Sequence, residues 1–439
     1  MTVLTSIMWF RRDLRVRAND ALAAAARGGS VLPLFVVDPV LIASSGGPRL
    51  AFLRDSLADL DRSLGGALVV RVGDPSVVVP SAAREAGAST VFVARDFTPY
   101  GRRRDRAVSD ALAATGSVLR GIGSPYTVPP GGVLKPDGKP YAVFTPYWRT
   151  WRRLASENRA AAASAPADVG VPECVTTRGD EFTWPERSFT ALDLPVAGEA
   201  AAWDRWEWFV EHGLGTYGAA RNTPSIDGTS RLSTYLRWGV LHPSQLIDEC
   251  DGSPAAEEFV RELCWREFYA DVLHQRPESA WKNLDGRFDR MQVDTDNAAR
   301  ERFALWQQGH TGFPIVDAGM RQLAATGWMH NRVRMIVASF LVKDLHLPWQ
   351  WGARHFMDHL VDGDLASNNH GWQWAAGCGT DAAPYHRILN PTLQAERFDP
   401  SGAYAQQWIE EWPLTGPPMV DHAVERAEAL RRRAALSVA

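Results

Sequence analysis

The chain has 439 residues, 45% of them hydrophobic and 22% charged, with a formal net charge of -4. That length can bury two or three cores, while no apolar run nears the roughly 20 residues a membrane-spanning helix needs. The slightly acidic balance excludes indiscriminate nucleic-acid binding but leaves room for a local basic face.

The opening MTVLTSIMWFRRDLR puts its charges after the apolar stretch, the reverse of a signal peptide. SIMWF (6–10), VLPLFVVD (31–38), ALVVRVG (67–73) and TVFVARD (90–96) read as strands, and ALAAAARGG, Arg49 to Leu64 and PSAAREAGA as helices ending near glycine. This βαβ series predicts a parallel, Rossmann-like sheet covered on both faces, an α/β domain over residues 1–125 with any ligand beyond the carboxyl ends of the strands. No GxGxxG follows the first strand, so a dinucleotide is not indicated there. Residues 126–200, with AAAASAPADVGVP, read as a long connecting segment. Beyond it EEFVRELCWREFYADVL, TGFPIVDAGMRQLAATG and WMHNRVRMIVASFLVKDL have helical spacing or length, which predicts an all-α domain over residues 201–439. MIVASFLV alone could pass for a buried strand, but its polar flanks at helical spacing favour helix. The four cysteines, Cys174, Cys250, Cys264 and Cys378, form no CxxC pair. Buried bystander thiols in a reducing, cytoplasmic setting are therefore expected, and no zinc site.

Several groupings could carry chemistry. Asn331, Arg334 and Met335 fall at i, i+3 and i+4, as do Glu262, Trp265 and Arg266, so each trio shares a helix face that mixes apolar surface with hydrogen-bonding groups. One such face is ordinary amphipathic packing; two weaken that reading. GTSRLS (228–233) sets hydroxyls and an arginine just before a helical run, a cradle for phosphate if its N–H groups open the helix, although hydroxyl-rich caps usually bind nothing. His355 and His359 at i, i+4 lack a third ligand and read as a structural pair rather than a metal site. DGDLASNNHGWQWAAGCGTDAAPY (362–385) crowds two carboxylates, two amides and two tryptophans among small residues that bury little. Trp372 and Trp374, at i, i+2, point to nearly opposite sides of a helix.

WFRRDLRVRAND, TGFPIVDAGMRQL, NRVRMIVASFLVKDLHLPWQ and the 362–385 segment, in this order and across nearly the whole length, resemble the DNA photolyase and cryptochrome family, most of all a class I cyclobutane pyrimidine dimer photolyase. The resemblance implies an α/β antenna domain, a long linker and a helical domain that holds FAD. It implies that Tyr217, Thr229, Ser230, Arg231, Leu232 and Ser233 surround the FAD phosphates. Asn368 would face the flavin N5, with Asp362, Gly363 and Asp364 bordering the ring and ribityl chain and Arg334 paired to Asp362. The implied reaction is light-driven splitting of the dimer by an electron lent from reduced FAD and then returned. Photolyases belong to the enzymes that flip their target out of the duplex. Glu262, Trp265, Asn331, Met335 and Trp374 match the dimer pocket, and Arg221, Arg266, Arg332 and Gln394 the DNA-backbone side.

Enzymes acting on the (6-4) photoproduct carry His where Asn331 and Met335 stand, so dimer repair is favoured. Plant cryptochromes tend to carry an acid and animal ones a cysteine at the site of Asn368, which leaves a blue-light photoreceptor as the alternative function. The family relays electrons to the flavin through three tryptophans, of which Trp372 and Trp349 match the inner two. Val293 falls at the outer position, with Trp306 or Trp351 as candidate substitutes. For an antenna chromophore, Tyr100 and Gly101 do not match folate binders, so 8-hydroxy-5-deazaflavin is favoured over methenyltetrahydrofolate, with Arg49 and Asp96 as contacts. A monomer acting on damaged DNA is expected.

Overall fold

The computed structural model describes residues 4–163, 176, 179–185, 193–380 and 387–436. Cys174, much of the expected linker and the end of the 362–385 motif, residues 381–385, lie outside the described residues.

Five strands, β1 (Leu4–Phe10), β2 (Gly29–Val37), β3 (Val69–Val72), β4 (Thr90–Val93) and β5 (Val118–Gly121), form one parallel sheet in the order β3-β2-β1-β4-β5. Alternation along β1 decides which layer each side chain joins. Ile7 and Trp9 pack with Leu32, Leu34, Val91 and Val108 on one face, under helices Pro75–Glu85 and Pro99–Ala113. Met8 and Phe10 point the other way, into a core that runs without a break through Phe52 and Leu57 to Trp151, Trp206, Phe259 and Phe268. The helical part therefore shares its core with the sheet. A second helical core gathers Trp306, Val333, Phe340, Phe356 and Trp372.

Two glycines close the seam between the parts. A Cβ at Gly46 would collide with the Asp358 carbonyl, and one at Gly239 with the Arg12 carbonyl. Gly239 also ends helix Ser233–Trp238 in the left-handed region, at φ 63°, where glycine is strain-free. Beside it the Leu14 N–H donates to the Trp238 carbonyl at 3.2 Å. Arg49, 2% exposed, adds a third tie: its guanidinium donates to the carbonyls of Met357 and Leu360 from helix Gly47–Ser63.

The stretch expected to be a connector carries helix Phe144–Ala163. Its Phe144, Tyr147 and Trp151 are buried in the shared core. Glu267 fastens the approach to that helix, accepting from the N–H groups of Thr127 at 2.6 Å and Val128 at 3.0 Å and from Trp151 Nε1 at 2.6 Å. Among the described helices none is long and apolar enough to cross a membrane. Cys264 and Cys378 are buried thiols, whereas Cys250 is half-buried.

Candidate functional site

Helix Leu365–Ala376 is the centre of the site because it packs against helices Pro254–Gln275, Asn331–Lys343 and Trp349–His359 at once. Asp364 starts it: the carboxylate accepts from the N–H groups of Ala366 and Ser367, both at 3.1 Å, satisfying donors that a helix start leaves open. The same carboxylate pairs with Arg12 at 2.7 Å and lies 4.0 Å from Arg237. Burial pushes its pKa up, but Arg12, Arg237 and Arg266 outweigh burial and hold the group far below the ordinary carboxylate range.

The expected Arg334–Asp362 pair is present and two-pronged, at 3.2 and 2.9 Å, and Ser233 Oγ donates to the same carboxylate at 2.6 Å. Three segments remote in sequence thus converge on one carboxylate whose side chain is 4% exposed. Beside it the 229–233 loop is clamped from behind: Arg205 donates to the carbonyls of Thr229 at 2.6 Å and Ser230 at 2.9 Å and pairs with Asp227 at 2.8 and 2.9 Å. Arg231 holds a left-handed backbone at φ 53°, pairs with Asp227 at 2.9 Å and lies over the Trp328 ring at 4.8 Å. Leu232 is buried, while Ser233 and Arg231 are exposed. Gly228 has no room for a Cβ, which would meet Ala220 at 2.6 Å. A backbone-tight loop presenting hydroxyls and a cation next to a fixed carboxylate fits a cofactor that carries phosphates and hydroxyls. Gly363 offers its carbonyl to Arg237 at 2.9 Å.

Asn368 donates to the Ala353 carbonyl at 3.0 Å and to Asn369 Oδ1 at 2.8 Å. Trp372 is 2% exposed and wedged against Gly352, and its Nε1 is buried with no acceptor. Trp374 on the opposite side is half-buried, with the Arg387 guanidinium 5.7 Å from its ring. Trp349 donates from Nε1 to Asn283 at 2.9 Å and lines a groove of about 300 Å³ together with Val293, which is 42% exposed.

The shared face of Glu262, Trp265 and Arg266 leads to three destinations. Glu262 pairs with Arg221 at 2.7 Å, and Arg221 lies 5.4 Å over the ring of Tyr217. Tyr217 is buried, and burial followed by the charge of Glu262 raises its phenol. Trp265 stacks on Phe144 with ring centroids 3.6 Å apart and planes 7° from parallel. Arg266, expected on the DNA side, is a correction. It turns inward and donates to the carbonyls of Pro125 and Leu236, both at 3.0 Å, because those carbonyls at the seam lie in reach of its fork.

Arg332 remains on the outer side, bonded to Asn222 at 2.5 Å and 4.6 Å over Phe398. Burial, then Arg221 and Arg397, lower its pKa, while Glu262, which pairs with Arg221, works against them. Asn331 is exposed and Met335 half-buried at the start of the same helix, and half-buried Gln394 sits on helix Pro391–Phe398 with exposed Arg397.

Asp96 lies by the sheet. Burial pushes its carboxyl up, but Arg104, Arg11 and Arg12 bring it down to about 2, and Arg104 contacts it at 3.1 Å. Arg49, its expected companion, is a second correction. That guanidinium is spent on carbonyls at the seam. The His355 and His359 rings lie tilted at 35° with centroids 4.1 Å apart, and no metal-binding cluster occurs among the described residues. Phe144, Arg205 and Arg12 escaped the sequence reading. FRRDLR showed the arginines at the end of a strand, but nothing local marks which remote group each one meets.

Two family models match this chain: "DNA photolyase" over residues 6–167 and "FAD binding domain of DNA photolyase" over residues 259–434. The deoxyribodipyrimidine photo-lyase of Streptomyces griseus is 38% identical, with 98% of this chain and 99% of that one covered. A bacterial class III photolyase from Agrobacterium tumefaciens has a similar solved structure, with TM-score 0.89, 34% identity and coverage of 100% and 99%. The cryptochrome of Synechocystis follows the same fold, with TM-score 0.82, 25% identity and coverage of 98% and 100%. Matched by these models and by a relative along nearly its full length, the chain belongs to the DNA photolyase family.

Proposed function

We propose that the protein is a deoxyribodipyrimidine photo-lyase, a light-driven enzyme that splits cyclobutane pyrimidine dimers in DNA. The observation that carries this reading is the convergence of Ser233, Arg334 and Asp362 beside the clamped 229–233 loop, with Arg334 and Asp362 inside the region matched by the FAD-binding model. Bound reduced FAD would lend the electron under light and take it back. The chain's own part is to hold and orient. Arg334 and Ser233 hold the Asp362 carboxylate in place, so a partner hydrogen-bonded to it has one orientation. The 229–233 hydroxyls and Tyr217 take the phosphate side, and Asn368 presents its amide from the central helix.

For the flipped dimer, Trp265 and Trp374 offer aromatic faces, with Glu262 and Asn331 for the polar edges and Met335 for packing. Phe144 covers one face of Trp265, so a base would stack on the opposite face. Arg221, Arg332 and the exposed Arg397 supply positive charge for the backbone, with Gln394 beside them. For an antenna, 8-hydroxy-5-deazaflavin remains the candidate over methenyltetrahydrofolate, with Asp96 as its contact and Arg49 withdrawn.

The test is illumination of reduced, FAD-loaded protein with an oligonucleotide carrying one thymine dimer. Light-dependent conversion to two thymines is expected. Intact dimers would refute repair and favour the photoreceptor, the reading that the likeness to the Synechocystis cryptochrome keeps in view.

A further inference from the structure

The position expected to hold the outermost relay tryptophan is Val293, an exposed aliphatic side chain beside Trp349. Trp349 is 5% exposed and its indole N–H is bonded to Asn283 Oδ1, a neutral amide that cannot take a proton. The groove beside Trp349 is lined by Phe288, a ring hard to oxidise, and by His346, whose Nε2 is bonded to Glu425, so a hole that reached Trp349 would find no second tryptophan or tyrosine in that lining to pass to. Trp372 has other neighbours. Its ring meets Trp306 edge to face, with centroids 6.1 Å apart and planes at 71°. Trp306 stacks on Phe303 at 5.7 Å and 16°, and Phe303 meets Trp351 at 5.3 Å. Trp351 is half-buried, the point at which this row of rings approaches water.

We propose that oxidising equivalents created at Trp372 leave through Trp306 and Phe303 to Trp351, a branch on the other side of the Trp349 helix start from the Val293 groove. The proposal rests on the reading that FAD binds against Asn368 and Trp372.

The surroundings suit each station. Trp306 is fully buried, and its Nε1 donates to the Val337 carbonyl at 3.2 Å, a dipole whose negative end stabilises a positive ring. The nearby His355 ring, 5.5 Å away, is pushed down to about 3 by burial and by His359, so at neutral pH it brings no opposing charge. At Trp351 the Arg300 guanidinium lies 5.4 Å over the ring. A cation there disfavours a charged radical and favours release of the indole proton to solvent, leaving a neutral radical that cannot easily return its hole.

The balance is one electron per photon. Trp372 gives an electron to photoexcited oxidised FAD and is refilled from Trp306, which is refilled from Trp351 with Phe303 as an unoxidised bridge. Trp351 then loses its N–H proton to water. An external thiol restores it by giving one electron and one proton, and two such thiyl products join as a disulfide.

The test uses full-length protein with oxidised FAD bound, flash excitation, and transient absorption of the tryptophan radical, followed by steady-state reduction of the flavin with a thiol present. Trp351→Phe, Trp306→Phe and Trp349→Phe are compared, with thermal melting to confirm folding. The wild type is expected to form a long-lived neutral radical. Its loss should be greater in Trp351→Phe and Trp306→Phe than in Trp349→Phe. Trp351→Phe is half-buried and leaves the core intact, so it decides the matter if Trp306→Phe unfolds. The reverse order, or a wild type with no long-lived radical, overturns the branch. A purified protein that shows no FAD absorbance overturns the underlying reading and the branch with it.

Discussion

Replacing Arg334 with Met isolates the energetics of the central pair. The Asp362 side chain is 4% exposed and Arg334 23%, and the guanidinium also donates to the Met329 carbonyl at 2.7 Å. Without it the carboxylate keeps one donor inside the protein, Ser233 Oγ. Removing one partner of a buried pair costs roughly 3 to 5 kcal/mol, because the remaining charge stays desolvated. Partial exposure of Arg334 lets some water reach the gap, so the lower end, about 3 kcal/mol, is expected. At about 2 °C per kcal/mol for a large domain, the melting temperature should drop by about 6 °C. The double variant Arg334→Met/Asp362→Asn should recover most of that loss, since no charge is left stranded. Arg287→Met serves as the control: its pair with Asp285 is 67% exposed on the arginine side, and a solvent-screened pair of this kind should leave the melting temperature nearly unchanged. Calorimetry of the cofactor-free proteins decides. If Arg334→Met melts within a degree or so of the wild type, or the double variant loses the sum of the two single losses, the stranded-charge reasoning is wrong.

The Asp271 carboxyl is pushed up to about 6 by burial, so the folded state holds that proton to higher pH than the unfolded chain. Its contribution is present below about pH 4 and lost as pH rises through about 6. Asp271→Asn should thus gain up to about 3 kcal/mol over the wild type at pH 7 and nothing near pH 4, and equal gains at both values in pH-dependent melting would contradict this. In DNA binding, Arg332→Gln should reduce the log–log salt slope by about one phosphate, roughly 0.7 to 0.9. Arg266→Gln should leave the slope alone and lower stability instead; a slope change in Arg266→Gln alone would put its side chain back on the DNA. Gly352→Ala would drive a methyl into the Trp372 ring and should cost about 1 to 3 kcal/mol, whereas an unchanged melting temperature would mean the two helices can slide apart freely.

The sheet was readable where strands are buried on both faces. Val31 to Val37 and Val91 to Val93 form unbroken apolar runs, and β1 to β4 fall where such runs predict. β5 was not, because VLRG lies at the sheet edge with three of its four residues exposed and so carries no hydrophobic signature. Helix Phe144–Ala163 was hidden by its setting in a Pro-, Gly- and Ala-rich span. Yet Phe144, Tyr147, Trp148 and Trp151 are spaced i, i+3, i+4 and i+7, a helical signal that was there to use. Helical spacing placed Asn331, Arg334 and Met335 together correctly, and MIVASFLV is helical. It failed for Arg266, because a shared face fixes direction but not reach: a long guanidinium can fold back to carbonyls two elements away. The resemblance supplied Asp362 and Arg334 as a pair. Ser233 as their third member depends on tertiary geometry that no local pattern encodes.

Gly46 and Gly239, where main chain meets main chain across the seam, bear on how this molecule can be rebuilt. Exchanging its sheet half for that of a relative would set a foreign surface against Asp358 and Arg12. A chimera should fold only if both glycines, the carbonyls they face and the side chains of the shared core travel together. The crossover point for recombination therefore belongs inside that core's contact map, not at the connector between residues 163 and 193.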